Sequence, residues 1–287
     1  MTSFSEKTIR TTVYMRQGSF NGGSNTVSFE GLPLEVNVSK PGGEDMGKAT
    51  VTVNNMKLDT MQQLTMLAFR KLQTFNNVIK IEAGELGRKL NTVFEGEISS
   101  AVPVMDKDGS VSFKIEARTG YYPNQLPTPP TSAKGETTIE KLMKIFAGEA
   151  GYGFENKGIT ASVKNSTFVG SPIQKAHELA RQTGIDLLID DRKFIIQPYE
   201  IKNYGNVVLV KGDSGQYGYP SFTNDGVQCK IYFNPNLSLG GFFELQTILP
   251  AASGIWKISK LEHKLSANKP TGGDWMTSLN GVWVQGV

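Results

Sequence analysis

Residues 92–117, TVFEGEISSAVPVMDKDGSVSFKIEA, constrain the fold more tightly than any other stretch of the chain. Apolar and polar residues alternate on both sides of Asp108-Gly109, the dipeptide that most readily supplies the positive φ angles of a tight hairpin turn. Val111, Phe113, Ile115 and Ala117 share one face, with Ser112, Lys114 and Glu116 on the other. On the preceding strand Phe94, Ile98, Val102 and Val104 are expected on one face, with Glu95 and Glu97 opposite. A period of two over this length means a sheet with one buried and one wet face.

Similar alternation appears in TIRTTVYMR (8–16), LEVNVSK, ATVTVNN and VIKIEAG, with a Gly/Asn-rich loop at 21–23. The exception is Asp59 to Lys71, where Met61, Leu64, Ala68 and Leu72 take helical spacing. YYPNQLPTPPTSAKGE (121–136) then denies backbone donors and favours extended polyproline geometry, which reads as a linker. Beyond it Ile139, Leu142, Met143, Phe146 and Ala150 form one helical face, predicting a helix from Thr137, with Glu140 closing a capping box and Gly151 near its end. Ser171 as N-cap, Pro172 in the first turn, Gln174 at the third position and Gly184 as the stop predict a second helix. IDLLIDDRKFIIQP follows as a hairpin. The expected organisation is a first β domain (1–122), a Pro-rich linker (123–135), an α+β insert (136–200) and a second β domain (201–287). The fold class is mainly β with an α+β insert.

The two β domains echo each other. ATVTVNNMKL (49–58) and VQCKIYFNPNL (227–237) both alternate and both end in an Asn-containing turn and a Leu. Each precedes a further strand (VIKIEAG; GFFELQT), then one pairing a large aromatic with a nearby Gly (Phe94 and Gly96; Trp256 and Gly254), then a closing strand (VSFKIEA; WMTSLNGVWV).

Candidate chemistry is sparse. A net charge of +3 without a Lys/Arg run does not point to nucleic acid. Cys229 is the only cysteine, which rules out an intrachain disulfide or a Cys-based zinc site and favours a reducing cytoplasm during assembly. The N-terminus lacks the apolar core of a signal peptide, and no apolar run approaches the ~20 residues that span a bilayer, so neither a cleaved leader nor a membrane anchor is expected. GGEDMGKAT matches the spacing of a phosphate-binding loop through Gly42, Gly47 and Lys48. The next element reads as a strand rather than the helix that would aim N–H groups at phosphate, and Ala49 stands where a metal-ligating hydroxyl belongs. His177 falls on a helix and His263 between Leu261 and Leu265 on a strand, neither with a recognisable nucleophile motif. Asp186, Asp190 and Asp191 lack the Gly and terminal Glu of a calcium loop and read as a solvated turn, and Glu95 with Glu97 as exposed strand residues. No cofactor, metal or catalytic residue is expected. Aromatics crowd the last domain, and adjacent pairs on a strand face opposite ways, so one member of each of Tyr232-Phe233 and Phe242-Phe243 should point outward to a protein partner.

The order of LEVNVSK, ATVTVNNMKLDTMQQL, VIKIEAG, VFEGEISSAVP and DGSVSFKIEARTG, then SPIQKAHELARQTGIDLLIDDRKFIIQP, then VQCKIYFNPNLSLGGFFELQT, GIWKISKLEHKL and GDWMTSLNGVWV resembles the tail hub proteins of phage baseplates. That family includes the late-control D proteins and the hub portion of type VI secretion spikes, and the resemblance covers almost the whole chain. It implies two tube-like β-barrels flanking the insert. It also implies a homotrimer whose six barrels form a ring joining the six-fold tail tube to the three-fold central spike. The expected partners are therefore other copies of the chain, the tube protein, other baseplate proteins and a spike that is a separate polypeptide, with DNA only as cargo through the channel. The expected location is the virion tail or baseplate, assembled in the host cytoplasm. The resemblance implies a structural protein and not an enzyme. Two alternatives remain open: a β-rich carbohydrate-binding or fibre-attachment module, marked by an exposed aromatic platform on a monomer, and a hydrolase dependent on His177 or His263.

Overall fold

A computed structural model describes residues 5–16, 19–20, 23–69, 77–105, 109–199, 204–270 and 272–283. The first part of the chain holds β1 (Lys7–Tyr14), β2 (Thr26–Phe29), β3 (Leu34–Lys40), β4 (Lys48–Asn54), α1 (Leu58–Phe69), β5 (Val78–Glu85), β6 (Asn91–Met105) and β7 (Val111–Arg118). The middle holds α2 (Tyr121–Gln125), β8 (Thr128–Thr138), α3 (Ile139–Ala150), β9 (Gly153–Asn156), β10 (Ser162–Gly170), α4 (Pro172–Thr183), β11 (Asp186–Asp190) and β12 (Lys193–Gln197). The last part holds β13 (Val207–Lys211), β14 (Gln216–Thr223), β15 (Gly226–Tyr232), β16 (Phe242–Gln246), β17 (Gly254–Ala267) and β18 (Trp275–Trp283). The chain is mainly β with a small α+β part, as its patterning implies.

Each part has its own hydrophobic core. Inner-face residues of β1, β3, β4, β5, β6 and β7 meet in one cluster, among them Ile9, Val36, Val51, Ile81, Phe94 and Ile115. Six strands can share one core only if their sheet is rolled rather than flat. The echo is visible in the strand order. Neighbours run β1-β5-β6-β7-β4-β3 in the first β unit and β13-β16-β17-β18-β15-β14 in the second. The bend recurs too. β6 shifts register between Ile98 and Ser100, and β17 between Ile258 and Lys260. At both bulges the extra serine reaches across: Ser99 Oγ donates to Glu116 O (3.1 Å) and Ser259 Oγ to Asn280 O (3.2 Å). One pairing differs, since β1·β5 is antiparallel and β13·β16 parallel. The two units join edge to edge, with β3 antiparallel to the second half of β17 from Leu34–Ala267 to Lys40–Leu261.

The bulge corrects the expected phase of β6. Inserting Ser99 moves the inward positions from Val102 and Val104 to Ala101, which pairs with Ile115 in the core. Residues 121–136 also differ from a polyproline linker: after α2 they run as β8, antiparallel to β10. Pro129 and Pro130 are tolerated because they fall at the register shift between Phe168 and Gly170, and among the described residues β8 pairs with β10 alone. The α3 start lies one residue later than predicted. Thr138 is the N-cap and accepts from Lys141 N, so Glu140 closes no capping box. The α4 caps are as predicted: Ser171 and Gln174 form a full capping box, and Gly184 ends the helix at φ 65°. Asp108, Asn21, Lys71 and Leu72 lie outside the described residues.

Candidate assembly surfaces and the junction behind them

The insert is held to both β units by buried polar contacts. Glu95 and Glu97 do share a face of β6, but it is not wet, because the insert covers it. Glu97 is buried and accepts from Gly120 N (3.0 Å), Tyr121 N (3.1 Å) and Tyr152 Oη (2.6 Å). Arg192, in the β11–β12 turn, adds a charge 3.4 Å away. Burial pushes the Glu97 carboxyl above its usual range, with the Tyr152 hydroxyl, Arg192 and the Tyr121 amide opposing. Gly120 sits at φ 80°, where a Cβ would lie 2.5 Å from Ile173 Cδ1. Only glycine fits that turn against α4.

Asp190 and Asp191 are likewise not a solvated turn. Lys40 at the end of β3 is 2.9 Å from Asp190 and 2.8 Å from Asp191. Asp191 Oδ1 also accepts from Glu95 N (3.0 Å). Asp191 and Arg192 both take positive φ, which lets a two-residue turn present the carboxylate to the first β unit. Burial pushes the Asp191 carboxyl up to about 6, with Lys40 opposing and Asp190 reinforcing the rise. On the other side Asp186 bonds Lys257 of β17 (2.7 Å) and Gln197 (2.9 Å). Gly240, at φ 73°, brings the second β unit so close that a Cβ would stand 2.2 Å from Leu188 Cδ1. These contacts fix the orientation of three separately cored parts.

The four aromatics expected to mark an interface are dispersed. Tyr232 is exposed on β15. Phe233 is half-buried, edge-on to His263 and Trp275. Phe243 lies in the second core, and Phe242 is also buried, its ring 5.1 Å from that of Tyr204. The alternation argument failed at Phe242 because the outer face of β16 is covered by the chain itself. The exposed aromatics that sequence reasoning did not select are Tyr217, Tyr219 and Phe222 on β14, with Trp283 on β18. Among the described residues β14 pairs with β15 alone. The signal for it was Gly218 and Pro220 interrupting the strand, which mark an edge.

His263 Nδ1 lies 2.9 Å from Thr277 Oγ1 and burial pushes the ring down to about 3, so it is a neutral core group. His177 lines a groove with Glu44, Asp45 and Arg181, with no Ser or Cys among the described residues of its lining. Lys48 opens β4, so the loop before it leads into a strand, as read. Cys229 is buried and its thiol pushed up to about 12. No cluster of metal-ligating side chains occurs among the described residues.

A family model described as baseplate hub gp41 matches residues 8–271. The chain belongs to that baseplate hub family. No curated protein sequence matches it. Among solved structures, this hub chain is similar to the 43 kDa tail protein of prophage MuSo2 from Shewanella oneidensis, at 11% identity over 97% of both chains with a TM-score of 0.62. It is similar to a tail protein from Neisseria meningitidis, at 8% identity over 96% of both chains with a TM-score of 0.65. It is also similar to an E. coli component of the type VI secretion system that itself shows structural similarity to the T4 bacteriophage tail proteins gp27 and gp5. That match has 8% identity over 94% of this chain and 76% of the other, with a TM-score of 0.59. At such identities the likeness is one of fold. The family makes the chain a structural component of a phage tail baseplate.

Proposed function

We propose that three copies of this hub protein close into a ring in which first and second β units alternate, and that the ring joins a six-fold tail tube to a three-fold spike. The observation that carries this reading is the repeated strand order, bulge included, of the two β units. A chain with two alike units offers six similar positions in three copies while staying strictly three-fold. That satisfies a six-fold neighbour on one side and a three-fold one on the other. The tube, the spike and neighbouring baseplate proteins are then its partners, and DNA passes through the central channel. The hub has no catalytic task in this role; the insert serves as an outer buttress oriented by the buried junctions. Native mass spectrometry of the chain, alone and with tube and spike proteins, tests it together with particle images. Rings of three chains are expected. A chain that stays monomeric with its partners and is absent from purified tails is not an adaptor of this kind.

A further inference from the structure

The Gly-rich loop between β3 and β4, which copies only the spacing of a phosphate-binding loop, forms one wall of a groove. Its Glu44, Asp45 and Met46 face His177, Glu178 and Arg181 of α4 across a volume of about 510 Å³. Ligand sites commonly occupy about 300–1,000 Å³, and a single water fills only about 30 Å³, so the space suits several residues of chain rather than one ion. The loop wall is fixed from behind. Gly42, at φ 45°, meets the β17 bulge so closely that a Cβ would lie 2.5 Å from Ser259 O. The groove therefore runs between the first β unit and the insert, and the second β unit backs its loop wall.

The polar groups of the two walls differ in what they already bond. On α4, Glu178 is engaged by Arg181 (3.0 Å) and Gln182 (2.7 Å). Among the described residues no ion pair or hydrogen bond engages the side chain of Glu44 or Asp45, and both are exposed. Burial pushes the His177 imidazole below its usual range, with Glu44 opposing and Arg181 reinforcing, so at pH 7 it is neutral and offers an acceptor nitrogen. Thr119, 2% exposed, belongs to the same lining, and its Oγ1 has no hydrogen-bond partner. Buried hydroxyls without partners are rare in folded chains, and a donor from outside would satisfy this one. The groove thus holds a surplus of acceptors, which repels phosphate and favours a cation. Met46 and Val169, the latter 67% exposed, add apolar surface beside the carboxylates. A cationic head on an aliphatic stem matches both features. Acceptors spread over both walls suit the three rotating donors of an ammonium better than the planar fork of a guanidinium.

We propose that this groove takes a lysine-bearing segment of a neighbouring baseplate protein, its ammonium between Glu44, Asp45 and His177 and its stem along Met46 and Val169. The inference rests on the reading that other baseplate proteins are partners of the hub, and not on closure of the ring. A segment seated there touches the first β unit and the insert together, so it fastens to both.

The chain's two histidines supply the reporter. Burial holds His263 down to about 3, so a titration above pH 4 follows His177 alone. The ring Cε1–H of the full chain, labelled with ¹³C-histidine, is followed by NMR with a lysine–leucine pentapeptide, a glutamate–leucine pentapeptide or cadaverine. A cation in the groove disfavours the imidazolium, so the lysine peptide should lower the His177 midpoint by at least about half a pH unit, a roughly threefold weaker affinity for the protonated form. Glu44→Gln with Asp45→Asn should weaken that peptide at least tenfold and leave thermal unfolding unchanged. A midpoint that does not move, or one that rises with the glutamate peptide, overturns the site. Cadaverine giving the full effect shows a site for a free amine and overturns the protein partner. In purified tails, carbodiimide coupling should join Glu44 or Asp45 to a lysine of another baseplate protein; coupling to lysines of this chain alone overturns the partner. Native mass spectrometry keeps the two readings apart. Rings that form while the peptide leaves His177 unmoved overturn the groove and leave the ring standing, whereas a monomer that binds the peptide keeps the groove and counts against the ring.

Discussion

Replacing Lys40 by Met asks whether the buried charge cluster locks the insert to the first β unit. Only 6% of the Lys40 side chain is exposed, and Asp190 and Asp191 are its partners at 2.9 Å and 2.8 Å. Met keeps most of the aliphatic stem, so the charge is what goes. Breaking a buried pair by removing one partner costs about 3–5 kcal/mol. Asp191 is partly exposed and keeps its bond from Glu95 N, which puts the expectation near the lower end, about 3 kcal/mol at pH 8. One cation serves two carboxylates, and this explains why both sides shift upward. Burial lowers the Lys40 ammonium, but the carboxylates together outweigh it, while Asp191 is left under-compensated. The Lys40 contribution is complete below about pH 10.5 and lost as pH rises through its raised value. The Asp191 carboxyl titrates at about 6 in the folded chain. Against about 3.9 unfolded, it lowers stability as pH climbs between those values. Without Lys40 the folded Asp191 carboxyl rises further, and the penalty of the variant shrinks wherever it is protonated. The variant should regain at least half of its ~3 kcal/mol deficit between pH 8 and pH 5. Urea unfolding followed by far-UV circular dichroism at both pH values measures this, with m-values compared to check cooperativity. A deficit below about 1 kcal/mol, or one equal at both pH values, would refute the lock.

Tyr152→Phe removes the hydroxyl that donates to buried Glu97 at 2.6 Å. It should cost about 1.5–3 kcal/mol in thermal or urea unfolding, more above the Glu97 titration than below it, because the lost bond serves the ionised form. Gly240→Ala should cost about 1–3 kcal/mol through its contact with Leu188. Gly218→Ala, at the similar φ of 71° but with nothing within 4 Å, controls for backbone strain in the same assay. Lys48→Ala should leave stability within about 0.5 kcal/mol, and equilibrium dialysis with ATP should show no binding before or after the change.

The parts of this fold that sequence discloses are those governed by local rules. Ser171, Pro172, Gln174 and Gly184 act on neighbouring backbone, so α4 was legible at both ends. The repeat was legible as an order of patterns, because alternation survives where identity does not. What failed depended on distant partners. Nothing local says that Ser99 is an extra residue, since a bulge is defined by the strand opposite. Glu97 and Asp191 looked like surface residues because carboxylates are rarely buried, and the groups that make their burial tolerable come from positions as remote as Tyr152 and Lys40. The burial of Phe242 was hidden for the same reason, since Tyr204 covers it, and so was the exposure of Phe222 on β14, which among the described residues pairs with β15 alone.

Buried charge is a poor source of stability, and its presence at both junctions calls for another explanation. An apolar substitute of similar volume is often neutral or more stable by about 1–4 kcal/mol. The cluster of Asp186, Lys257 and Gln197 sits where the insert meets β17, with both charged side chains 14% exposed. Directional bonds allow one relative placement of two rigid bodies, whereas an apolar patch allows several of similar energy. In the proposed ring that distinction would matter, because a small error in the angle per copy, repeated three times, would leave the ring open. The combined variant Asp186→Leu, Lys257→Met and Gln197→Leu should therefore unfold at the same urea concentration as the parent or a higher one. Its spin-label distances between α4 and β18 should broaden, and a smaller fraction of chains should close into rings. A variant that is destabilised by about 3 kcal/mol with sharp distances would show that the cluster supplies stability and not orientation.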